Sequence, residues 1–332
     1  MSQPNILLVE PTLDLSIIIV NWNTRALLTK CLESIIASSG LRMVCKSDII
    51  DSENDAQITT EVWVVDNVST DGSAQMVREQ FSWVHLIENQ ENIGFAGANN
   101  QAIRHSNGRA VLLLNPDTEI KPGALQTMIE FLETHPTVGA VGPHTLNPDL
   151  TLQESTYPLP TLAREAWRLF HLDKFRPFGI YPMREWDQTE PRDVDVLLGA
   201  CILLRRIVID KVGPMDPSFF MYSEEVDLCY RIQKGGWRLF WVPAAKIIHY
   251  GGQSTQQVRA KMFLQLYRSK LHFFRKHYGW LAVQLYKLVI LLAALSRIAA
   301  GPFAWFGHRD MRQRRLELAA AYLQLLKALP GY

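Results

Sequence analysis

Three carboxylates fall within four positions at Glu224, Glu225 and Asp227, directly after the aromatic run Phe219-Phe220-Met221-Tyr222. Carboxyl groups crowded beside apolar rings lose hydration and repel one another, which lifts their pKa values towards the range where a side chain accepts a proton at neutral pH. The same acids also suit the positive end of a helix dipole. Far earlier in the chain, Asn115-Pro116-Asp117 sets an amide and an acid two residues apart behind an apolar run. Both can face a diphosphate and its Mg2+ or Mn2+, hard cations that take oxygen ligands. As a three-residue string it is an ordinary turn, so its position carries the argument. Asp66 closes another apolar run ahead of a Ser/Thr/Asp/Gly turn. A carboxylate so placed either reaches a ribose or base edge or caps the next helix. His249 opens HYGGQST, where an imidazole closes a metal site, touches phosphate or serves the structure.

Positioning these groups requires a sheet. Apolar runs at 15–20, 61–66, 84–89 and 110–115 alternate with helical patterns at 24–38, 73–81 and 96–106, which reads as βαβαβαβ and a mostly parallel sheet. Such sheets bind ligands at the carboxyl ends of their strands. Each run closes on polar residues: Asn21-Trp22-Asn23, Asp66-Asn67, Glu88-Asn89 followed by Asn92-Ile93-Gly94, and Asn115-Pro116-Asp117. Residues 40–60 read as an elongated polar connection without catalytic content. Beyond Pro122 a helix and a short strand VGAVGP are expected. The prolines of 143–193 predict loops and short helices. Residues 196–206 read as one buried strand, 223–236 as a helix stopped by a glycine pair, and 237–242 as another strand.

The chain of 332 residues is 48% apolar and 20% charged, which excludes a disordered protein. Its formal charge of +1 hides an asymmetry: residues 256–332 hold 13 Lys/Arg against 2 Asp/Glu. A basic tail interleaved with Phe, Tyr, Trp and Leu favours an anionic membrane surface over nucleic acid. The longest unbroken apolar run, 288–295, is shorter than the ~20 residues of a spanning helix, so the tail is expected to lie on the membrane. Trp280, Trp305 and Phe306 would sit near headgroups, with Arg309, Arg312, Arg314 and Arg315 near anionic lipid. The alternative is a helical cap on the catalytic domain or on a second copy in a homodimer. Cys31, Cys45, Cys201 and Cys229 form no C-x-x-C pair and are expected to be reduced core residues. The first sixteen residues carry no basic region or long apolar stretch, so a cytoplasmic protein, peripheral on the inner face of the cell membrane, is expected.

Taken in order, IIIVNWN, VVDNVSTDGS, ENIGFAGANN, LLLNPDTEI, LLGACILLRR, VGPMDPSFFMYSEEVDLCYRIQKGGW and HYGGQST resemble the family 2 inverting glycosyltransferases of the GT-A fold, especially the branch with rhamnosyltransferases. The resemblance covers about residues 14–276. It implies an α/β fold with a mostly parallel central sheet flanked by helices and a C-terminal helical extension. The catalytic domain would span 1–255, with a nucleotide-binding half about 14–120 and an acceptor half about 121–255, and the basic helical extension 256–332.

The resemblance further implies that Asn21, Asn23, Asp66 and Asn92 to Gly94 hold the base and ribose, with Asn99 and Asn100 beside them. Asn115 and Asp117 match the family's Asp-x-Asp, whose second acid is a metal ligand. Asn115 brings no charge, so metal affinity leans on Asp117, His249 and the diphosphate. Glu225 falls where the family has the Asp that serves as catalytic base, one methylene longer here, with Glu224 and Asp227 in reserve. Asp227 and Arg231 match positions that brace the helix or contact the diphosphate. Gly199 and Ala200 line the acceptor side, where small residues allow a sugar close approach. The implied substrates are a nucleoside diphosphate sugar, dTDP-rhamnose first, and a glycan or lipid-linked acceptor for cell-surface polysaccharide. Two alternatives stand beside this. A sugar nucleotidyltransferase favours a glycine-rich basic loop after strand one, where this chain reads NWNTRALLTK. A non-catalytic sugar-nucleotide-binding protein is favoured if the Glu-Glu pair and Asn115 have disabled turnover.

Overall fold

The computed structural model describes residues 13–38, 40–45, 48–51, 58–252, 258–299 and 309–332, with the side chains of 45, 48–51, 259 and 309–317 left out. Its first half is β1 (Leu15–Asn21), α1 (Arg25–Ile36), β2 (Leu41–Cys45), β3 (Asp48–Asp51), β4 (Ile58–Asp66), α2 (Ser73–Gln80), β5 (Val84–Glu88), α3 (Gly94–His105) and β6 (Ala110–Leu114). β1 pairs in parallel with β4 and β6, and β4 with β5, as the alternating pattern predicts. Every residue of β1 and β6 is buried because helices cover both faces. Leu15, Ile17 and Ile19 join one apolar cluster with α1, α2 and α4, while Ile18 and Val20 join the other with α3 and α7. Strands covered on both faces read as unbroken apolar runs.

The second half is β7 (Thr118–Ile120), α4 (Ala124–Thr134), β8 (Val138–Leu146), β9 (Thr156–Tyr157), α5 (Leu162–Leu169), β10 (Arg192–Asp193), β11 (Val196–Leu197), β12 (Cys201–Arg205), α6 (Arg206–Val212), α7 (Glu224–Lys234) and β13 (Arg238–His249). β12 enters the sheet antiparallel, between β6 and β8. Three expectations need correction. Residues 40–60 contain β2, which pairs with the start of β4, and β3, which turns back on β2; along β2 the alternate residues Leu41 and Met43 are buried, so that strand looks half polar. The strand expected over 196–206 breaks at Leu198-Gly199-Ala200, because Leu198 N donates to Ser155 O (2.8 Å) and holds β11 with β9 outside the main sheet. The strand expected at 237–242 continues to His249 through an irregularity after Val242.

The C-terminal segment forms α8 (Arg259–Ala299), kinked at Gly279, and α9 (Arg309–Ala328). α8 packs through Phe274, Tyr286, Ile290 and Ala293 against Leu169 of α5 and Tyr322 and Leu325 of α9. Glu165, buried in that seam, accepts from Lys270 Nζ (2.7 Å) and Tyr286 Oη (2.8 Å). The short unbroken apolar run understated this helix. By length and composition Ala260–Ala299 could cross a membrane, with a window of mean hydropathy 1.8, but 33% of that window is buried in protein. Two of its charges turn inward, Lys287 Nζ donating to Tyr332 O (2.7 Å) and Arg297 to Leu169 O. Trp280 is 68% exposed; Trp305, Phe306 and the side chains of Arg309, Arg312, Arg314 and Arg315 lie outside the described residues. Cys31, Cys201 and Cys229 are free and buried; the side chain of Cys45 is not described.

α7 is fastened to this cap through Asp227, which has no exposed surface. Its Oδ1 meets Lys276 Nζ (2.6 Å) and His277 Nε2 (2.7 Å), and its Oδ2 meets Arg231 Nε (2.8 Å). Burial opposes ionisation of Asp227, but Lys276, Arg231 and His277 outweigh it and hold the carboxyl below its ordinary pKa. Removing one partner of a buried ion pair costs about 3–5 kcal/mol, so Asp227→Ala should lower stability by that order in urea titrations. A lowered pKa gives stability that is present above the unfolded value and lost as pH falls through the folded one. The stability gap between wild type and Asp227→Asn should therefore close as pH drops below about 4.

Candidate active site

Two strand pairings bring the expected groups together. β12 lies on β6 with Cys201 opposite Leu114, so the turns at 115–117 and 198–200 leave neighbouring strand ends, joined by Asn115 N donating to Ala200 O (2.8 Å). β7 lies on β13 with Thr118 opposite His249, and Tyr250 N donates to Asp117 O (2.9 Å). That register sets His249 Nε2 3.3 Å from Asp117 Oδ1, with both residues buried.

The imidazole has a defined orientation. Gln153 Nε2 donates to Asn147 Oδ1 (2.9 Å) and His249 O (3.2 Å), so its Oε1 accepts from His249 Nδ1 (2.7 Å). With the proton on Nδ1, the lone pair of Nε2 faces the Asp117 carboxylate and has no hydrogen-bond partner among the described residues. Two electron-rich atoms side by side need a cation, either a proton on the ring or a metal ion. The nitrogen and oxygen donors present therefore fit a divalent metal completed by a substrate diphosphate. Among the described residues there is no cluster of three or more potential protein ligands.

α7 supplies the acids. Tyr222 and Ser223 both adopt left-handed backbone (φ 68° and 66°) immediately before it, a costly conformation of the kind found at functional sites. Glu224 is buried, and its Oε2 has no hydrogen-bond partner among the described residues. Burial and then the neighbouring Glu225 charge push its pKa well above the ordinary value. Protein atoms crowd Glu225 although part of its surface stays open to the cavity. Burial raises its pKa too, against backbone N–H groups of the helix start that favour the charge. Gly199 lies across from it, where an added Cβ would sit 3.6 Å from that of Glu225.

Asn92, Asn115, Asp117, Gly199, Ala200, Glu224, Glu225 and His249 line one cavity of about 510 Å3. Asn21, Asn23, Asp66, Gly94 and Asp227 are not among the residues that line it. Asn21 is fully buried, and its Nδ2 donates to Asp66 Oδ2 (2.9 Å) and Ser69 Oγ (3.0 Å). Asp66 Oδ1 accepts from Ser69 N (2.8 Å), and Asn23 Oδ1 from Thr70 N (2.7 Å). These groups close the loop after β4, and no side-chain capping bond is made at the N-cap of the following helix α2. Asn99 and Asn100 bond to Phe95 O (2.9 Å) and Met215 O (2.7 Å). Asp227 is consumed by its ion pairs, in line with its bracing alternative. Trp22, Asn67, Tyr222, Lys261 and Met262 also line the cavity, without having been given a site role from the sequence. The position of Trp22 and Asn67 at strand ends was the available signal; nothing local marked Lys261 or Met262.

Residues 16–213 match the model of Glycosyl transferase family 2. The chain belongs to that family. This family 2 transferase is 30% identical over 239 residues to the N-acetylglucosaminyl-diphospho-decaprenol L-rhamnosyltransferase of Mycobacterium tuberculosis, covering 66% of this chain and 76% of that one. It is 27% identical over 259 residues to the low-salt glycan biosynthesis hexosyltransferase Agl10 of Haloferax volcanii, covering 76% and 72%. A mannosyltransferase of Pyrobaculum calidifontis, solved with GDP-Man and Mn2+, shares the fold at TM-score 0.54 and 18% identity, over 95% of this chain and 84% of that one. The resemblance read from the motifs is borne out: the enzyme is a glycosyltransferase of GT-A fold, which sets aside both alternatives. Glu224, Glu225 and His249 lie beyond the span matched by the family model.

Gly94 serves the site indirectly. Its φ is +78°, and a Cβ there would fall 2.5 Å from Phe220 O and 2.8 Å from the Phe220 ring. Phe95 N donates to the same carbonyl (2.8 Å). Gly94→Ala should cost about 1–2 kcal/mol from the left-handed backbone alone, with a further loss from displacing Phe220, measurable as a lower urea midpoint.

Proposed function

We propose that this enzyme transfers a sugar from a nucleoside diphosphate donor to an acceptor hydroxyl by a single inverting displacement, with Glu225 as base and Asp117 with His249 as the protein ligands of Mg2+ or Mn2+. One observation carries the reading: Asp117 and the Glu224–Glu225 pair line the same cavity.

On this reading Glu225 takes the proton of the acceptor hydroxyl as its oxygen bonds to the anomeric carbon. The bond to the diphosphate breaks on the opposite face, and its electron pair leaves with the phosphate, so the anomeric configuration inverts. A bound metal supplies positive charge against the charge growing on the leaving diphosphate. Lys261, exposed at the cavity wall, adds a second cation there. Gly199 and Ala200 leave room for the acceptor sugar beside Glu225, and Asn92 and Asn115 offer amides to the donor. Asn21, Asn23 and Asp66 hold the nucleotide loop from behind.

Relatives named as rhamnosyltransferases support dTDP-rhamnose as donor. A relative whose name specifies a diphospho-decaprenol acceptor supports a lipid-linked glycan in cell-surface polysaccharide synthesis. Such an acceptor favours a cytoplasmic enzyme working on the inner face of the cell membrane, with residues 256–332 as the docking extension of a catalytic domain at 1–255.

Glu225→Gln should lower transfer by about 10²–10⁴-fold, the usual contribution of a general base, while calorimetry shows donor affinity retained. Asp117→Ala should weaken both. The raised pKa of Glu225 predicts an acid limb of the transfer rate above the ordinary carboxylate value of about 4.3, the rate rising with pH as the base ionises. An acid limb at or below that value, or full activity of Glu225→Gln, removes Glu225 from the role. Loss of the Gln153 hydrogen bond in Gln153→Ala should weaken Mn2+ binding by about 10–100-fold, read by titration.

A further inference from the structure

After α5 the chain turns through Phe170-His171-Leu172-Asp173-Lys174-Phe175-Arg176-Pro177-Phe178, and its three phenylalanines face solvent. Phe175 is 87% exposed, more than any other large apolar side chain among the described residues, with Phe178 at 44% and Phe170 at 40%. Apolar side chains scattered singly over a surface need no explanation, but three within nine positions concentrate apolar surface in one place and mark a contact. The turn is braced. Phe175 N donates to Leu172 O (3.0 Å), and Arg176 O accepts from Trp167 Nε1 (2.9 Å). Asp173 Oδ1 accepts from Phe178 N (3.0 Å) and Gly179 N (2.8 Å). Hydrogen bonds on both sides of Phe175 therefore fix the backbone that presents its ring to water.

The charges beside that ring have one sign. Lys174 and Arg176 flank Phe175 in the chain, both are exposed, and among the described residues neither has an ion-pair partner. Asp173, the one acid within 168–178, is turned to the two backbone N–H groups. Arg297 of α8 meets His171 Nε2 (3.1 Å). Burial, then Arg297 and Lys174, hold that imidazole below its ordinary pKa, as a positive local field does. A ring held outward between two unpaired cations complements a surface that is apolar inside and anionic at its rim, the profile of an anionic bilayer. A two-fold contact between copies centred on this turn would instead set the same cations against each other.

We propose that this turn is a lipid anchor of the catalytic domain: Phe175 enters an anionic bilayer while Lys174 and Arg176 meet the phosphates of its headgroups. This goes beyond the docking role given above to residues 256–332, because it places a lipid contact outside that extension. The exposed leucine face of α8, made by Leu281, Leu285, Leu288, Leu292 and Leu295, is a separate surface. Arg297, which ties α8 to Leu169 and His171, follows Leu295 by two positions and so stands on the other side of the helix. The turn and the leucine face are therefore not one patch, and their contributions can be measured apart.

The test is co-sedimentation of the full chain with vesicles of phosphatidylglycerol and phosphatidylcholine in equal parts, beside vesicles of phosphatidylcholine alone. Wild type should bind the anionic vesicles, and Phe175→Ser should bind them about tenfold more weakly, a partly buried ring being worth roughly that factor. Phe175→Trp should bind like wild type. Lys174→Gln/Arg176→Gln should lose about tenfold or more on the anionic vesicles and nothing on phosphatidylcholine alone. All these positions are exposed, so circular dichroism should show every variant folded. Absence of wild-type binding to the anionic vesicles, or equal binding by the double cation variant, overturns the proposal. Full binding by Phe175→Ser with loss in Leu285→Ser/Leu292→Ser would assign the membrane contact to α8 and overturn it too. A dimer that Phe175→Ser dissociates in sedimentation velocity, with vesicle binding unchanged, would make the turn a contact between copies and overturn it equally. Glu225→Gln should bind vesicles like wild type, so failure of the catalytic assignment would show separately in the transfer assay.

Discussion

Negative charge confined with too little compensation is the constraint around which this site is built. Asp117, Glu224 and Glu225 share one cavity, where the cationic side chain among the lining residues is Lys261. Three ionised carboxylates would repel one another at short range in a medium that screens them poorly. The protein relieves this in three ways. Burial raises the pKa values of Glu224 and Glu225, and the Glu225 charge raises that of Glu224 further, so ionisation of the pair is opposed. The amino end of α7 offers backbone donors to the remainder. The Asp117 carboxylate faces an imidazole whose lone pair is turned towards it by Gln153, an arrangement completed by a cation.

The sheet makes that crowding possible by mixing strand directions. A wholly parallel sheet would deliver Asn115 and Asp117 to one edge of a crevice with nothing opposite. β12 runs antiparallel beside β6, so the turn entering it, Leu198-Gly199-Ala200, meets the turn leaving β6. The antiparallel contact of β7 with β13 then brings His249 level with Thr118. Each functional group thus comes from a strand end or helix start fixed by main-chain hydrogen bonds.

The alternation of strands and helices in the first half and the polar and acidic part of the cavity wall were legible in the sequence because they depend on local signals: apolar runs, the polar residues that close them, and an acidic helix start. What escaped depends on partners distant in the chain. Asp66 and Asn21 end adjacent strands, and they bond to each other and to Ser69. The same type of residue at the same strand end serves either purpose, and only the direction of the side chain separates them. Asp227 resembled a third acid of the pair until Lys276 and His277, fifty residues on, turned out to share it. β2 escaped for another reason, since a strand with one buried face carries half the apolar residues of one covered on both.

The C-terminal helices are bound into the catalytic machinery more tightly than their composition suggests. The sequence changes character near residue 255, where charge and aromatic content shift, and that shift invites a division into catalytic body and membrane tail. Contacts cross it in both directions. Ser269 and Gln265 hold Met221, two residues before Ser223 and three before Glu224, while Lys276 and His277 hold Asp227 on the following turn. The Glu224–Glu225 pair therefore sits between two anchor points supplied by α8. A chain ending at 255 would lose both, leaving the strained Tyr222–Ser223 backbone without the contacts that over-determine it. Loss of activity in such a fragment would then report the collapse of the α7 start rather than the absence of a membrane. Substitutions on the exposed leucine face, which leave the inward contacts of α8 in place, separate the two effects.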